Sequence, residues 1–203
     1  MYGINWNSGP ANALTTVPTG TNVLIVAPIT GDDATGTKAD FALPFKTIFA
    51  ANAAAAAGDQ IIVFGDLDET NCFIDGVDYI INGKINYTGV DATAILSDAA
   101  GKIESTIRVS GSVINSTAAG DRCIDLSNAA SDVKFYCDFI DNNILGGFPN
   151  QITGGAKLEY HGDMHMLYSV TAGGIFTMYG DSINTTHSAT FRIDGDNTIA
   201  RIY

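Results

Sequence analysis

Basic residues are scarce in this chain. Ten Lys and Arg stand against 22 Asp and Glu, for a net charge of −12 in 203 residues. That balance argues against nucleic-acid backbones and anionic membranes as partners, because both repel such a surface. Charged residues of either sign make up only 16% of the chain, below the roughly 25% of ordinary globular proteins. Cysteines number three, Cys72, Cys123 and Cys137, without CxxC spacing. An odd count so spaced defines neither a disulfide framework nor a zinc site, and small buried apolar side chains are the better expectation. No apolar run approaches the roughly 20 residues of a membrane helix. The start, Met1-Tyr2-Gly3-Ile4-Asn5-Trp6-Asn7, lacks the basic and apolar regions of a secretory signal. Hairpin signals are also thin: Asn-Gly occurs only at Asn82-Gly83.

Glycine is plentiful, at 22 residues, and apolar residues reach 46%. This composition does not fit disorder; it predicts a rigid all-β protein. A chain of this length buries roughly 70% of its unfolded surface and holds a core without disulfide or metal.

Three segments follow from the pattern. Residues 1–40 are polar and irregular apart from Val23-Leu24-Ile25-Val26, a short strand ended by Pro28. They read as an attachment or inter-subunit segment. Residues 41–60 hold the only convincing helix. Pro44 suits a first turn, seven of the twelve positions from Lys46 to Ala57 are Ala, and Gly58 sits where a left-handed cap belongs. Side chains this small let the helix lie close against what it covers, as a lid.

From 61 to 203 a repeat appears: apolar-x-apolar-x-Gly, often followed by Asp. It reads Ile61–Gly65, Tyr79–Gly83, Ile107–Gly111, Phe135–Phe139 (Phe in the Gly place), Leu158–Gly162, Phe176–Gly180 and Phe191–Gly195. Alternation puts the first and third residues of each unit on one face, and Gly supplies the bend. One unit cannot bury its apolar face alone, whereas stacked units can. The pattern predicts a coil of short strands rather than a sandwich of hairpins.

The segment Gly36-Thr37, Pro44-Phe45-Lys46-Thr47-Ile48, the alanine helix and Gly58-Asp59-Gln60-Ile61-Ile62-Val63 resembles the entry segment of pectin-lyase-like right-handed parallel β-helices. The resemblance implies an N-terminal capping α-helix leading into a right-handed parallel β-helix. Within that superfamily the short acidic chain is most similar to bacteriophage tailspike, tail fibre and capsid-appendage proteins. A virion location, a homotrimer, contacts with other virion proteins and adhesion to host cell-surface polysaccharide are what this likeness implies. No pectate-lyase motif matches, so no catalytic residue is carried over, and no cofactor or metal is implied. The strand-like end Ile199–Tyr203 leaves an open edge that invites pairing with another chain, so the expectation is that a partner subunit covers it or that the chain is trimmed or folds back there.

Candidate chemistry remains open. Glycoside cleavage needs two carboxylates across the scissile bond. Asp66, Asp68 and Glu69, Glu159 with Asp163, and Asp194 with Asp196 are the densest choices, with Glu159, Thr177 and Arg192 in one groove. Turn carboxylates that bond the backbone are the commoner use. His161 and His165 would suit zinc on a helix, but the repeat puts them in a strand and turn. Asp32-Asp33 and Asp194-Gly195-Asp196-Asn197 offer oxygen ligands for calcium without EF-hand spacing. Asn86-Tyr87-Thr88, Asn115-Ser116-Thr117 and Asn184-Thr185-Thr186 are formal glycosylation sequons that coincide with repeat turns. The Gly pairs at 146–147, 154–155 and 173–174 read as turns. Tyr136 and Tyr179 point outward and could stack on sugar rings. A virion structural protein is therefore the leading expectation; a polysaccharide lyase or glycosidase, and a scaffold that binds only virion neighbours, are the alternatives.

Overall fold

A computed structural model describes residues 22–69, 72–87, 94–115, 123–141, 150–165, 168–180, 191–194 and 196–203. The described chain is mostly strand, and every strand pairing in it is parallel. The stacked-strand expectation holds, and hairpins play no part among the described residues.

One sheet runs β1 (Val23–Val26), β2 (Gln60–Phe64), β3 (Asp78–Asn82), β6 (Glu104–Val109), β9 (Asp132–Asp141), β11 (Lys157–His165), β13 (Ile175–Tyr179), β15 (Ile199–Ile202). Short strands β4 (Ile85–Tyr87) and β7 (Val113–Asn115) extend it beside β9. The second sheet runs β5 (Leu96–Ser97), β8 (Ile124–Leu126), β10 (Asn150–Ile152), β12 (Tyr168–Thr171), β14 (Phe191–Asp194). From β8 onward the chain alternates between the sheets, and each return lands beside the strand laid down before it.

The register builds columns. Leu24, Ile61, Tyr79, Ile107, Phe135, Tyr160, Met178 and Ile202 are successive partners down the first sheet. All but Ile202 are buried in one core, where they meet Leu96, Ile124, Leu126, Ile152 and Val170 of the second sheet. Burying each such aliphatic side chain contributes roughly 1.5–3 kcal/mol. Cys72, Cys123 and Cys137 lie in the same core as free thiols, the small apolar role expected of them.

Three features depart from the sequence reading. First, β1 pairs in register with β2, so the stack starts at Val23, ahead of the visible repeat. On its outer face Val23 and Ile25 join Ile62 and Ile80 in a small cluster against Phe41. Second, the helix α1 is shorter, Ile48–Ala54, with Thr47 as its cap accepting from Ala50 N. Its early end has a local cause: Asp59 accepts from the Ala56 N–H, which draws the chain toward β2. Gly58 does adopt left-handed backbone (φ 89°), but in the turn after the helix, donating to Gly76 O. Ile48 and Ala51 are fully buried on the first-rung end of the core.

Third, the repeat changes phase. Phe135 pairs with Tyr160, two residues later than the unit starting at Leu158 implies, and Leu158 pairs with Val133. The register then shifts between His161 and Asp163. Gly162 marks the place, since a Cβ there would sit 1.9 Å from Cys137 O. The unit at Phe191 belongs to the other sheet, opposite Tyr168, and Ala200 follows Phe176 instead.

Candidate functional site

The outward residues of the first sheet form a second column: Arg108, Tyr136, His161, Tyr179. With neighbouring rungs about 4.8 Å apart, outward rings at paired positions can only stack. The Arg108 guanidinium carbon lies 4.1 Å from the Tyr136 ring centre. Tyr136 and His161 stack at 4.4 Å and 11°, His161 and Tyr179 at 4.5 Å and 14°, and Tyr179 and Tyr203 at 5.2 Å and 15°. Five side chains on five successive rungs thus make one continuous stack on the solvent side. His161 is further fixed by Glu159, whose Oε1 is 2.8 Å from Nε2.

This arrangement alters the expectation for the tyrosines. Tyr136 and Tyr179 do point outward, but the faces of Tyr136, His161 and Tyr179 are covered by neighbours in the stack. What reaches solvent is ring edge, the electropositive rim of the aromatic quadrupole, and not the face that packs on a sugar's C–H groups.

Beside the stack runs a third column: Asp78, Thr106, Lys134, Glu159, Thr177, Arg201, with Asp78 placed by its Oδ1 accepting from Thr106 N. Glu159 and Thr177 are neighbours as expected, but Arg201 follows them. Arg192 lies on β14 in the other sheet, opposite Ser169, so it shares no groove with them.

Several of the remaining candidate carboxylates are engaged within the fold. Asp66 accepts from Lys84 N on the next rung. Glu69 accepts from the N–H groups of Ile48 and Phe49 at the start of α1. Burial pushes its carboxyl above the ordinary range against those two bonds, and the nearby charge of Asp33 adds to the rise. Asp68 and Asp163 both have partners of their own. Asp163 sits past the register shift, its carbonyl accepting from the Tyr160 hydroxyl. The Asp194 side chain and Gly195 lie outside the described residues; Asp196 is exposed in the turn before β15.

Asp33 accepts from Lys46 N, Thr47 N and Thr47 Oγ1. Burial works to raise its pKa, but those hydrogen bonds and the Lys46 charge hold it below the ordinary value. Asp32 accepts from Ala34 N. Asp59, almost wholly buried, is likewise raised by burial yet held low by Lys38 and the Ala56 N–H. Asp98, which the sequence reading passed over, is buried and accepts from Ser127, Asn128 and Ser131. Much of the acidic composition therefore serves to tie one rung's backbone to the next.

His161 and His165 fall on β11, either side of the shift, and the His165 side chain lies outside the described residues. Among the described residues no cluster of three His, Cys, Asp or Glu side chains could hold a metal ion. Of the sequons, Asn86 is exposed on β4; Thr88, residues 116–117 and residues 184–186 lie outside the described residues. The Gly pairs at 154–155 and 173–174 are turns; 146–147 lies outside. No described helix is long and apolar enough to cross a membrane.

The sequence did not place Arg108, His161 and Tyr203 in one stack. Only the register brings them together with Tyr136 and Tyr179. Comparison with family models, curated proteins and solved structures returns no match to this chain.

Proposed function

We propose that the chain is a virion structural protein of a bacteriophage: a right-handed parallel β-helix, capped by α1, that trimerises as a tail fibre, tailspike or capsid appendage and adheres to host-surface glycan. The observation that supports this reading best is the first sheet, in which eight strands from β1 to β15 add one after another in parallel. Winding such strands with the second sheet into one coil makes a rod whose core is continuous and whose outer faces are flat. Rods of this kind resist unfolding and proteolysis, because each rung protects its neighbours. Weak contacts on one outer face, repeated across three copies, become useful avidity.

Of the candidate carboxylates, Asp66 and Glu69 accept from backbone N–H groups and Glu159 is bonded to His161, which favours adhesion over cleavage at these three. Mass spectrometry and immunoelectron microscopy of purified phage particles test the assignment. Detection of the chain at a projecting structure supports it, and its absence from intact particles contradicts it.

A further inference from the structure

The aromatic column continues one that starts on the first rung. Arg108 follows Ile25, Ile62 and Ile80 in the same outward position. At that end the chain covers its own column, since Phe41 packs against the cluster that these isoleucines form with Val23. At the other end Tyr179 and Tyr203 remain 43% and 69% exposed. A column built from large rings, covered at one end and open at the other, offers a surface to a partner.

Charge says what that partner is. Around the rings, the outer face of β6 to β15 carries the cations Arg108, Lys134, Lys157 and Arg201. Its described carboxylates are Glu104, Asp132, Asp138, Glu159 and Asp163, so four charges against five leave this face at −1. The other six cations and 17 carboxylates put −11 on the rest of the chain. Copies of so acidic a chain repel one another least when their near-neutral faces turn together and the remainder stays in solvent.

The signs are also ordered. On β9 the exposed residues Lys134 and Asp138 stand on either side of Tyr136. Four residues along a strand separate them by about 13 Å, too far to pair within one chain. The register shift between His161 and Asp163 bends its strand, so the ring column divides two flanks. With the rings at the axis of a cyclic assembly, the Lys134 flank of one copy meets the Asp138 flank of the next on the same rung. Such a head-to-tail contact closes on itself. On β11 both flanking residues, Glu159 and Asp163, are acidic, which concentrates the attraction on β9. We propose that the ring column is the seam along which copies of this chain associate, with Lys134 of one copy paired to Asp138 of the next. The inference rests on the trimer reading and names its interface.

The test is sedimentation velocity of the full chain over a dilution series reaching nanomolar concentrations. Lys134→Glu and Asp138→Lys should each raise the concentration of half-dissociation about tenfold, with unchanged circular dichroism. Asp138→Lys does so although it lowers the net charge. The double variant should return to within about threefold of the wild type, because the exchanged charges meet again between copies. Lys84→Glu, off this face, changes the net charge as Lys134→Glu does and should shift the midpoint less than about twofold. Iodination of Tyr203 in the wild-type chain needs no substitution, and it should be slower in the associated than in the dissociated protein. Single variants that match Lys84→Glu, or Tyr203 labelled equally in both states, overturn the seam and leave the trimer standing. Weakened single variants that the double variant does not rescue overturn the Lys134–Asp138 pairing. A wild-type monomer at every concentration overturns this inference and the trimer reading together.

Discussion

Glu159 holds His161 by a 2.8 Å hydrogen bond to Nε2, and that ring lies between Tyr136 and Tyr179. The two residues are two apart on β11, so both point outward, and the carboxylate fixes a ring that its neighbours need in place. Glu159→Ala should leave the fold intact, cost no more than about 1 kcal/mol as a half-exposed pair, and reduce the near-ultraviolet dichroism of the stacked tyrosines. An unchanged tyrosine signal would show that the stack orders itself without the carboxylate.

Buried and exposed positions along the same sheet should respond differently. Ile107 is fully buried between Tyr79 and Phe135, and Ile107→Ala is expected to cost about 2–5 kcal/mol by leaving a cavity. Ile199 is 36% exposed, and Ile199→Ala should cost less than about 1 kcal/mol. Denaturant midpoints of the two variants decide this, and equal costs would contradict the assigned core.

Glycines at the register shift in β11 and at an open turn make a matched pair. Gly162 has φ 139°, and an added Cβ would meet Cys137 O at 1.9 Å. Gly101 has φ 146° but open space around it. Gly162→Ala should cost at least about 3 kcal/mol, and Gly101→Ala only the backbone strain of about 1–2 kcal/mol. Thermal melts that rank them in the opposite order would place the bulge elsewhere.

Acid should weaken the capped end through two carboxylates. Asp33 and Asp59 have pKa values held below the ordinary range. Each contributes stability above the unfolded pKa of about 3.9, which is lost as pH falls through the lower folded value. Glu69 has the opposite sign: its raised value means the folded form holds the proton more tightly, so its contribution declines as pH rises above about 4.3. Asp59→Asn should therefore flatten the acid limb of a stability–pH curve. Glu69→Gln should remove the opposing slope while still accepting from α1. An acid limb unchanged in Asp59→Asn would contradict the assigned linkage.

The parallel stack was legible because inward alternation and marker glycines recur from Ile61 to Gly111 at matching positions. The stack of rings was not. Aligning Phe135 with Leu158 puts Tyr136 beside Glu159 and separates it from His161. The two-residue phase change between β9 and β11, in place from Lys157 onward, shifts the outward columns, and no composition or spacing within a unit announces it. Likewise Arg192 joined the wrong column, because Phe191–Gly195 copies the repeat while pairing in the other sheet. The cap was visible from its alanines, yet its end at Ala54 depends on Asp59 accepting from the Ala56 N–H, a local side-chain bond that helix propensity does not register. The carboxylates were visible as candidates, but their role as inter-rung clamps needs the neighbouring rung to be known.

The central claim, a rod that works as a trimer, is tested most directly by multi-angle light scattering of the purified chain. The account predicts a solution mass near three times 21.3 kDa, stable on dilution. A monomer of 21.3 kDa across the concentration range would contradict it, since neither the avidity nor a partner over the exposed residues Ile199, Ile202 and Tyr203 would then remain.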